Sequence, residues 1–291
     1  MLWAAGLLQP LWQAAKEAVL GARVLHLDSV ELPVLGGSGI RRPRLGSLWG
    51  HAGDEQTAFY LYVSMNPEQG ELGLKDLLAR RTGHVMVESP GPFKRWLGEP
   101  QLRELIVCGC NVRAYRHFLM ARESGSPRAA VPLPAFESLF AVEQEMLACT
   151  PEDRRARRQV ASKPAYDSLV RWCGRNQPDE PPASPLGQAF SHVLENEAEL
   201  RRFLDDGLIP IDNSIFERLH TRLGLARGAS LLSSSEADGQ RAAVALTLWS
   251  CCLLAEVDPS DYLKEVLPLL SRGVPSAQVA GLLPARWRAS S

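Results

Sequence analysis

The sequence is short of paired cysteines, of an excess of either charge and of long apolar runs, and each shortage excludes something. Its six cysteines are Cys108, Cys110, Cys149, Cys173, Cys251 and Cys252, and none forms a Cys-x-x-Cys pair. No histidine pair sits at finger spacing, so a zinc site is not expected. Cys251 and Cys252 are adjacent in an apolar run, which suits buried thiols better than a disulfide and points to a reducing, cytoplasmic compartment. Lys plus Arg number 32 against 33 Asp plus Glu, a formal net charge of -1. No global basic field draws the chain to nucleic acid, so any such contact must use a local patch. The longest apolar stretch, Ala242 to Ala255, is interrupted by Thr247 and Ser250 and falls below the ~20 residues a bilayer needs. Met1 to Leu20 lacks an early positive charge and is broken by Gln9, Gln13, Lys16 and Glu17, so it reads as an amphipathic helix rather than a signal peptide. No membrane partner is expected.

What is present suffices for a packed α/β protein. Of the 291 residues, 45% are hydrophobic and 22% charged, which excludes global disorder and exceeds one ordinary domain. Leu7, Leu8, Leu11, Ala15 and Val19 recur at helical spacing, predicting a helix that ends near Gly21. Val24 to Asp28 reads as a strand ending in a carboxylate. A loop follows through Gly36–Gly39, Arg41, Arg42 and Arg44. Leu45 to His51 and Ala58 to Val63 read as strands of a β-meander, with a turn at 53–55. Leu72 to Arg80 reads as a helix, His84 to Val87 as a strand ending at Glu88, Ser89 to Pro92 as a turn, and Leu105 to Cys108 as a strand before a helix carrying Arg113 to Phe118. Short strands in series, then strands alternating with helices, predict a mixed sheet covered by helices.

Beyond Phe136 the pattern is helical. Phe140, Val142, Met146 and Leu147 give an apolar stripe, and Arg154, Arg155, Arg157 and Arg158 form a basic run, either a phosphate-binding patch or a solvated face. Residues 177–185 read as a solvated linker, Leu186 to Leu204 as a helix, and 209–213 as short and extended. Helices are expected again at 214–225, at 241–255 and after Asp258-Pro259, where the two residues suit a cap and a first turn. The expected division is an N-terminal helix over 1–22, the first part of the core over 23–135, a helical insertion over 136–204, completion of the core over 205–255 and a helical tail over 256–291.

Three carboxylates stand out by position: Asp28 and Glu88 at strand ends, and Glu217 on a helix after Asp212-Asn213. Gathered at one sheet edge, such a trio can hold two hard divalent cations, which need oxygen ligands. A cation pair of that kind activates a water or a 3′-hydroxyl and stabilises the leaving oxygen in phosphodiester transfer. From position alone, strand-end carboxylates are more often simply solvated surface.

The stretch Phe203-Leu204-Asp205-Asp206-Gly207-Leu208-Ile209-Pro210-Ile211-Asp212-Asn213-Ser214-Ile215-Phe216-Glu217-Arg218 resembles the F-L-x-D-G-x-x-x-I-D-N-N-x-x-E-R signature of the DDE transposases of the insertion-sequence sixty-six family. Val24-Leu25-His26-Leu27-Asp28 is similar to the family's V-L-H-A-D segment. Val257-Asp258-Pro259-Ser260-Asp261-Tyr262-Leu263 is similar to its V-D-P-x-x-Y-L, and Leu282 to Trp287 to its closing L-L-P-W-x-W. The resemblance covers nearly the whole chain in order. It implies a ribonuclease-H-like fold with a helical insertion and metal-dependent DNA strand cleavage and transfer. Asp28, Glu88 and Glu217 would be the catalytic, metal-binding carboxylates, Mg2+ or Mn2+ the cofactor, transposon-end DNA the partner and a homo-oligomer the assembly. Arg116, Arg218 and Arg227 would contact DNA. The family's N-terminal zinc-binding and helix-turn-helix regions have no counterpart in these 291 residues.

The departures fall on the chemistry. Glu88 stands where the family has a second Asp, and the extra methylene displaces its oxygens by about 1.5 Å, where a misplacement near 1 Å can cost ~100-fold. The family's C-W-A-H-x-R-R-x-F corresponds to Cys110 to Phe118, with Arg113 in place of the His and with Arg116 and Phe118 kept. Thr221, Gly228, Ala229 and Ser230 replace the Arg, Lys, Asn and Trp expected after Glu217, which weakens phosphate contact and stacking. Two functions follow from this pattern: a transposase of weakened or lost activity, or a non-catalytic DNA- or protein-binding module on the same framework.

Overall fold

A computed structural model describes residues 5–34, 44–53, 56–63, 67–79, 81–96, 99–223 and 235–290. In chain order the elements are α1 (Ala5–Leu20), β1 (Val24–Val34), β2 (Arg44–Ala52), β3 (Ala58–Val63), α2 (Pro67–Leu78), β4 (Gly83–Val87), α3 (Pro90–Trp96), β5 (Leu105–Gly109) and α4 (Asn111–Glu123). There follow α5 (Leu133–Glu145), α6 (Pro151–Arg157), α7 (Lys163–Asn176), α8 (Pro185–Glu195), α9 (Glu197–Arg201), α10 (Ser214–Arg222), α11 (Glu236–Leu254), α12 (Pro259–Arg272), α13 (Ser276–Val279) and α14 (Pro284–Ser290). The five strands form one mixed sheet in the order β3-β2-β1-β4-β5. The chain divides into two compact units, residues 1–83 with 215–291, and residues 84–214.

The expected mixed sheet with flanking helices is present, and among the described residues no strand follows β5. Several local expectations need correction. β1 does not end at Asp28; it continues to Val34 because antiparallel pairing with β2 runs from His26↔Ala52 through Asp28↔Gly50 to Val34↔Arg44. Ser89 to Pro92 is not a plain turn, since α3 begins at Pro90, whose fixed φ suits a first helical turn. The helix expected over 186–204 is three pieces, α8, α9 and a 3-10 turn at Arg202–Leu204. The linker is pinned: Arg128 bonds Glu180 at 3.3 Å, and Ser184 caps α8 by accepting from Gly187 N. Residues 209–213 are irregular rather than extended, with Ile209, Ile211 and Asn213 buried. The loop tip at 36–43, the turn at 54–55 and the polar turn at 230–234 lie outside the described residues.

In the first unit, Leu8, Leu11 and Ala15 of α1 pack with Val244, Leu248 and Cys251 of α11 and with Tyr262 and Val266 of α12. A second cluster joins Leu32, Leu48, Tyr60 and Tyr62 to Phe216 and Leu219 of α10. The outer strand β3 would expose unpaired backbone groups, and side chains meet them. Tyr60 N donates to Thr247 Oγ1 at 2.9 Å, Cys251 Sγ donates to the Ala58 carbonyl at 3.2 Å, and Trp12 Nε1 donates to the Tyr60 carbonyl at 3.1 Å.

The second unit is helical around aromatic contacts of Phe118 with Phe136 and Phe190, and of Trp172 with Phe190. A π-turn at Arg158–Ser162 joins α6 to α7 and turns Arg158 inward. Arg158 is fully buried; its guanidinium grips Glu143 through two 2.7 Å bonds and donates to the carbonyls of Phe203, Asp206 and Ile209. Arg154 donates to the Gly207 carbonyl and Arg157 to Glu145. Half of the basic run, Arg154 and Arg158, is therefore internal bracing, while Arg155 and Arg157 stay exposed. Gly207 is needed at its position, because a Cβ there would lie 1.8 Å from the Pro151 carbonyl oxygen.

Candidate functional site

Asp28 lies on the same face of β1 as Leu32, since strand side chains alternate, and Leu32 packs with Phe216 and Leu219. α10 can approach so closely because Gly50, paired with Asp28 in the neighbouring strand, has no side chain; a Cβ there would meet the Phe216 ring at 2.4 Å. The start of α10 is set by Asp212, whose Oδ1 accepts from Ser214 N at 2.8 Å. With Phe216, Leu219 and His220 buried, α10 turns Glu217 and Arg218 outward.

His220 meets Asp28. Its Nδ1 lies 3.3 Å from Asp28 Oδ2, the two side chains being 10% and 24% exposed. The other Asp28 oxygen accepts from Ser29 N at 2.9 Å. The His220 ring lies against Phe216 and Tyr60, at 5.5 and 6.2 Å between centroids, and its Nε2 is buried without a hydrogen-bond partner. Glu217 precedes His220 by three residues, so the two are neighbours on the helix surface. Nothing in the sequence singled out His220: an isolated histidine on an amphipathic helix has no spacing relation to Asp28.

Glu88 follows β4, in the second unit, and Arg113 of α4 approaches it, Nη1 to Oε2, at 3.9 Å. α4 starts at Cys110, whose Sγ accepts from Arg113 N at 3.4 Å and from Asn213 N at 3.3 Å. Burial pushes the Cys110 thiol up to about 11 and those of Cys108, Cys173, Cys251 and Cys252 to about 12; these five are packing groups rather than nucleophiles. One turn beyond Arg113, the His117 ring lies tilted by 32° against His192 of α8, 4.5 Å between centroids. Burial, then the neighbouring His117 and Arg113, lowers His192 to about 4, and burial with Arg113 lowers His117.

Of the other expected residues, Arg116 is half-buried on α4, Arg218 is exposed on α10, and Arg227 lies outside the described residues. Among the described residues no three His, Cys, Asp or Glu side chains gather into a metal cage. The structure thus brings Asp28 together with the helix of Glu217 and with His220, and it pairs Glu88 with Arg113. As a donor set the described geometry brings together two groups, the Asp28 carboxylate and the His220 imidazole, while Glu217 is exposed one helical turn before His220.

Comparison with known proteins gives a consistent answer. The sequence model of the family described as "Transposase IS66 family" matches residues 1–241. The chain is similar to the uncharacterized protein y4jD of Sinorhizobium fredii, 26% identical over 97% of this chain and 57% of that protein. It is also similar to the uncharacterized proteins y4hP and y4qI of the same organism, 24% identical over 99% of the chain and 30% over 61%. The chain spans little more than half the length of the first two of these curated relatives.

Proposed function

The chain belongs to the IS66 transposase family, and from that premise we propose that it is a DDE-type transposase core, acting in metal-dependent DNA strand cleavage and transfer at much reduced rate. The observation that carries this reading is the seating of α10 against β1. The first and third carboxylates of the family pattern, far apart in sequence, lie on elements of one unit that touch through Asp28 and His220. Asp28 and Glu217 are proposed as the retained ligands; Glu88 is proposed as the second carboxylate on the family pattern alone. Bound Mg2+ or Mn2+ would activate a water or a 3′-hydroxyl. The protein's own part is to orient the two carboxylates and to hold DNA phosphates, for which Arg116, Arg218 and Arg227 are proposed.

The non-catalytic reading has one observation in its favour. The Arg113 guanidinium stands beside Glu88 and brings positive charge to the carboxylate that a second cation would need. A strand-nicking assay on the terminal DNA of an element of this family, with Mg2+ or Mn2+, separates the two. Slow nicking that Asp28→Asn abolishes, and that Glu88→Asp raises, is expected from a core with one damaged ligand. No nicking even in the triple variant Glu88→Asp, Arg113→His, Gly228→Lys would make the binding module the better account.

A further inference from the structure

The sheet has an open place on its outer edge: we propose that β3 takes an extended peptide of a partner protein, apolar with an acidic flank, as an added strand at Tyr62, in the groove between α1 and α11. Neither Asp28 nor Glu217 takes part, so the site stands apart from the transposase reading. β3 is outermost in the sheet, and unpaired edge groups invite another strand. Tyr60, opposite Gly50, turns its N–H to Thr247 and its carbonyl to Trp12, both away from β2. Opposed residues of an antiparallel ladder alternate between bonded and non-bonded pairs. Tyr62, two residues on and opposite Leu48, therefore turns its N–H and carbonyl outward as well.

The caps on this edge end before Tyr62. α11 runs beside β3 and meets it at four-residue steps, a rise of about 6 Å that nearly matches the roughly 6.8 Å between alternate strand residues. Cys251 serves Ala58, and Thr247 serves Tyr60. The next step is Ala243, buried and with no polar side-chain atom to give. On α1, Trp12 is used at Tyr60, and Leu8, one turn before it, is apolar. At this point a groove of about 720 Å3 opens, lined by Tyr62 with Gln9, Trp12, Gln240, Arg241 and Val244 among others. A strand-spaced donor and acceptor recognise a peptide backbone. Trp12 and Val244 offer a wall for an apolar side chain, and the amides of Gln9 and Gln240 suit further backbone groups. Arg241 is the one charged side chain among the described lining residues. It is half-exposed and holds Asp238 through Nη1; a guanidinium fork carries five N–H donors, so a carboxylate on the peptide is favoured over a cation.

The test uses the full chain and, as probe, the capped peptide acetyl-Asp-Val-Val-Val-Asp-amide. In a titration followed by amide NMR, the Tyr62 cross-peak should move downfield and saturate with a Kd below about 1 mM. N-methylation of the central valine removes the N–H that would meet the Tyr62 carbonyl, and should weaken binding about tenfold. Ala243→Thr supplies the missing hydroxyl and should weaken the peptide by a similar factor. Arg241→Glu, a surface change, should weaken it too, and the peptide with lysines in place of both aspartates should then bind better than the original. Thermal melts check that both variants fold, and the N-methyl comparison needs no variant at all. Binding indifferent to N-methylation would overturn strand addition, as would the absence of any shift at Tyr62. A chain that sediments as a dimer, and as a monomer after Ala243→Thr, would give the edge to a second copy and overturn the peptide partner.

Discussion

His51 sits on β2 with no exposure, its Nδ1 3.3 Å from the Phe59 carbonyl and its Nε2 without a partner. Burial pushes it from the ordinary 6.5 down to about 4. The folded protein therefore keeps the ring neutral at pH values where the unfolded chain has already taken up a proton. Protons favour the unfolded state in that window, so stability should be full above pH 6.5 and fall as the pH drops toward 4. The shift corresponds to roughly 3 kcal/mol at the acid end. His192, lowered to about 4 for similar reasons, adds to the loss over the same range. Urea denaturation at a series of pH values checks this; the midpoint should decline steeply between pH 6.5 and 4, and His51→Leu should flatten the decline. An equally steep decline in that variant would assign the acid sensitivity to other groups.

At the scale of elements, the stretch that most resembled a catalytic signature is largely a clamped loop. The carbonyls of Phe203, Asp206 and Ile209 go to Arg158, that of Leu204 to Gln159, that of Gly207 to Arg154, and Asn213 N to Cys110. Breaking such a buried pair leaves an uncompensated charge, so Arg158→Met should destabilise the second unit by about 3–5 kcal/mol. Glu143→Gln together with Arg158→Met should recover part of that loss, as denaturation of the single and double variants will show. Reading the sequence placed Arg158 on a surface because a helical period run through 154–158 puts successive arginines all round the helix. The π-turn inserts one residue into that period and turns Arg158 inward, and no hydrophobic pattern marks such an insertion. The elements that were legible carried their own signals: the Asp258-Pro259 cap of α12, whose Asp accepts from Ser260 N and Asp261 N, and the apolar strand β3, found at its expected limits. β1 runs past Asp28 because Val30, Leu32 and Val34 alternate after it, a signal that the charge of Asp28 masks.

For the molecule as a whole, a net charge of -1 limits what DNA can gain. Electrostatic attraction supplies most non-specific affinity, and here Arg154 and Arg158 of the basic run are spent on internal carbonyls and on Glu143, which leaves Arg155 and Arg157 exposed. Binding to random duplex should therefore be weak, with a shallow dependence on salt, set by about two or three phosphate contacts. Fluorescence anisotropy between 50 and 200 mM salt measures the slope; one near that of a strongly basic DNA-binding domain would mean that cationic residues other than Arg116 and Arg218 carry the contact. The candidate site was legible only where order along the chain mattered. The flanking residues nominate Asp28 and Glu217. Their environment could not be read there, because His220 and Gly50 owe their importance to the approach of α10 to the sheet, and that approach is written in no local pattern.

The side chains that close the outer strand also turn one amide into a gauge. Tyr60 N–H is bonded to Thr247 of α11, not to another strand. Its exchange with deuterium is therefore governed by how often α11 lifts away, while amides between β1 and β2 follow the opening of the sheet itself. If the helix loosens first on warming, Tyr60 will lose its hydrogen well before those inner amides do. If all of them exchange together, α11 and the meander open as one cooperative unit.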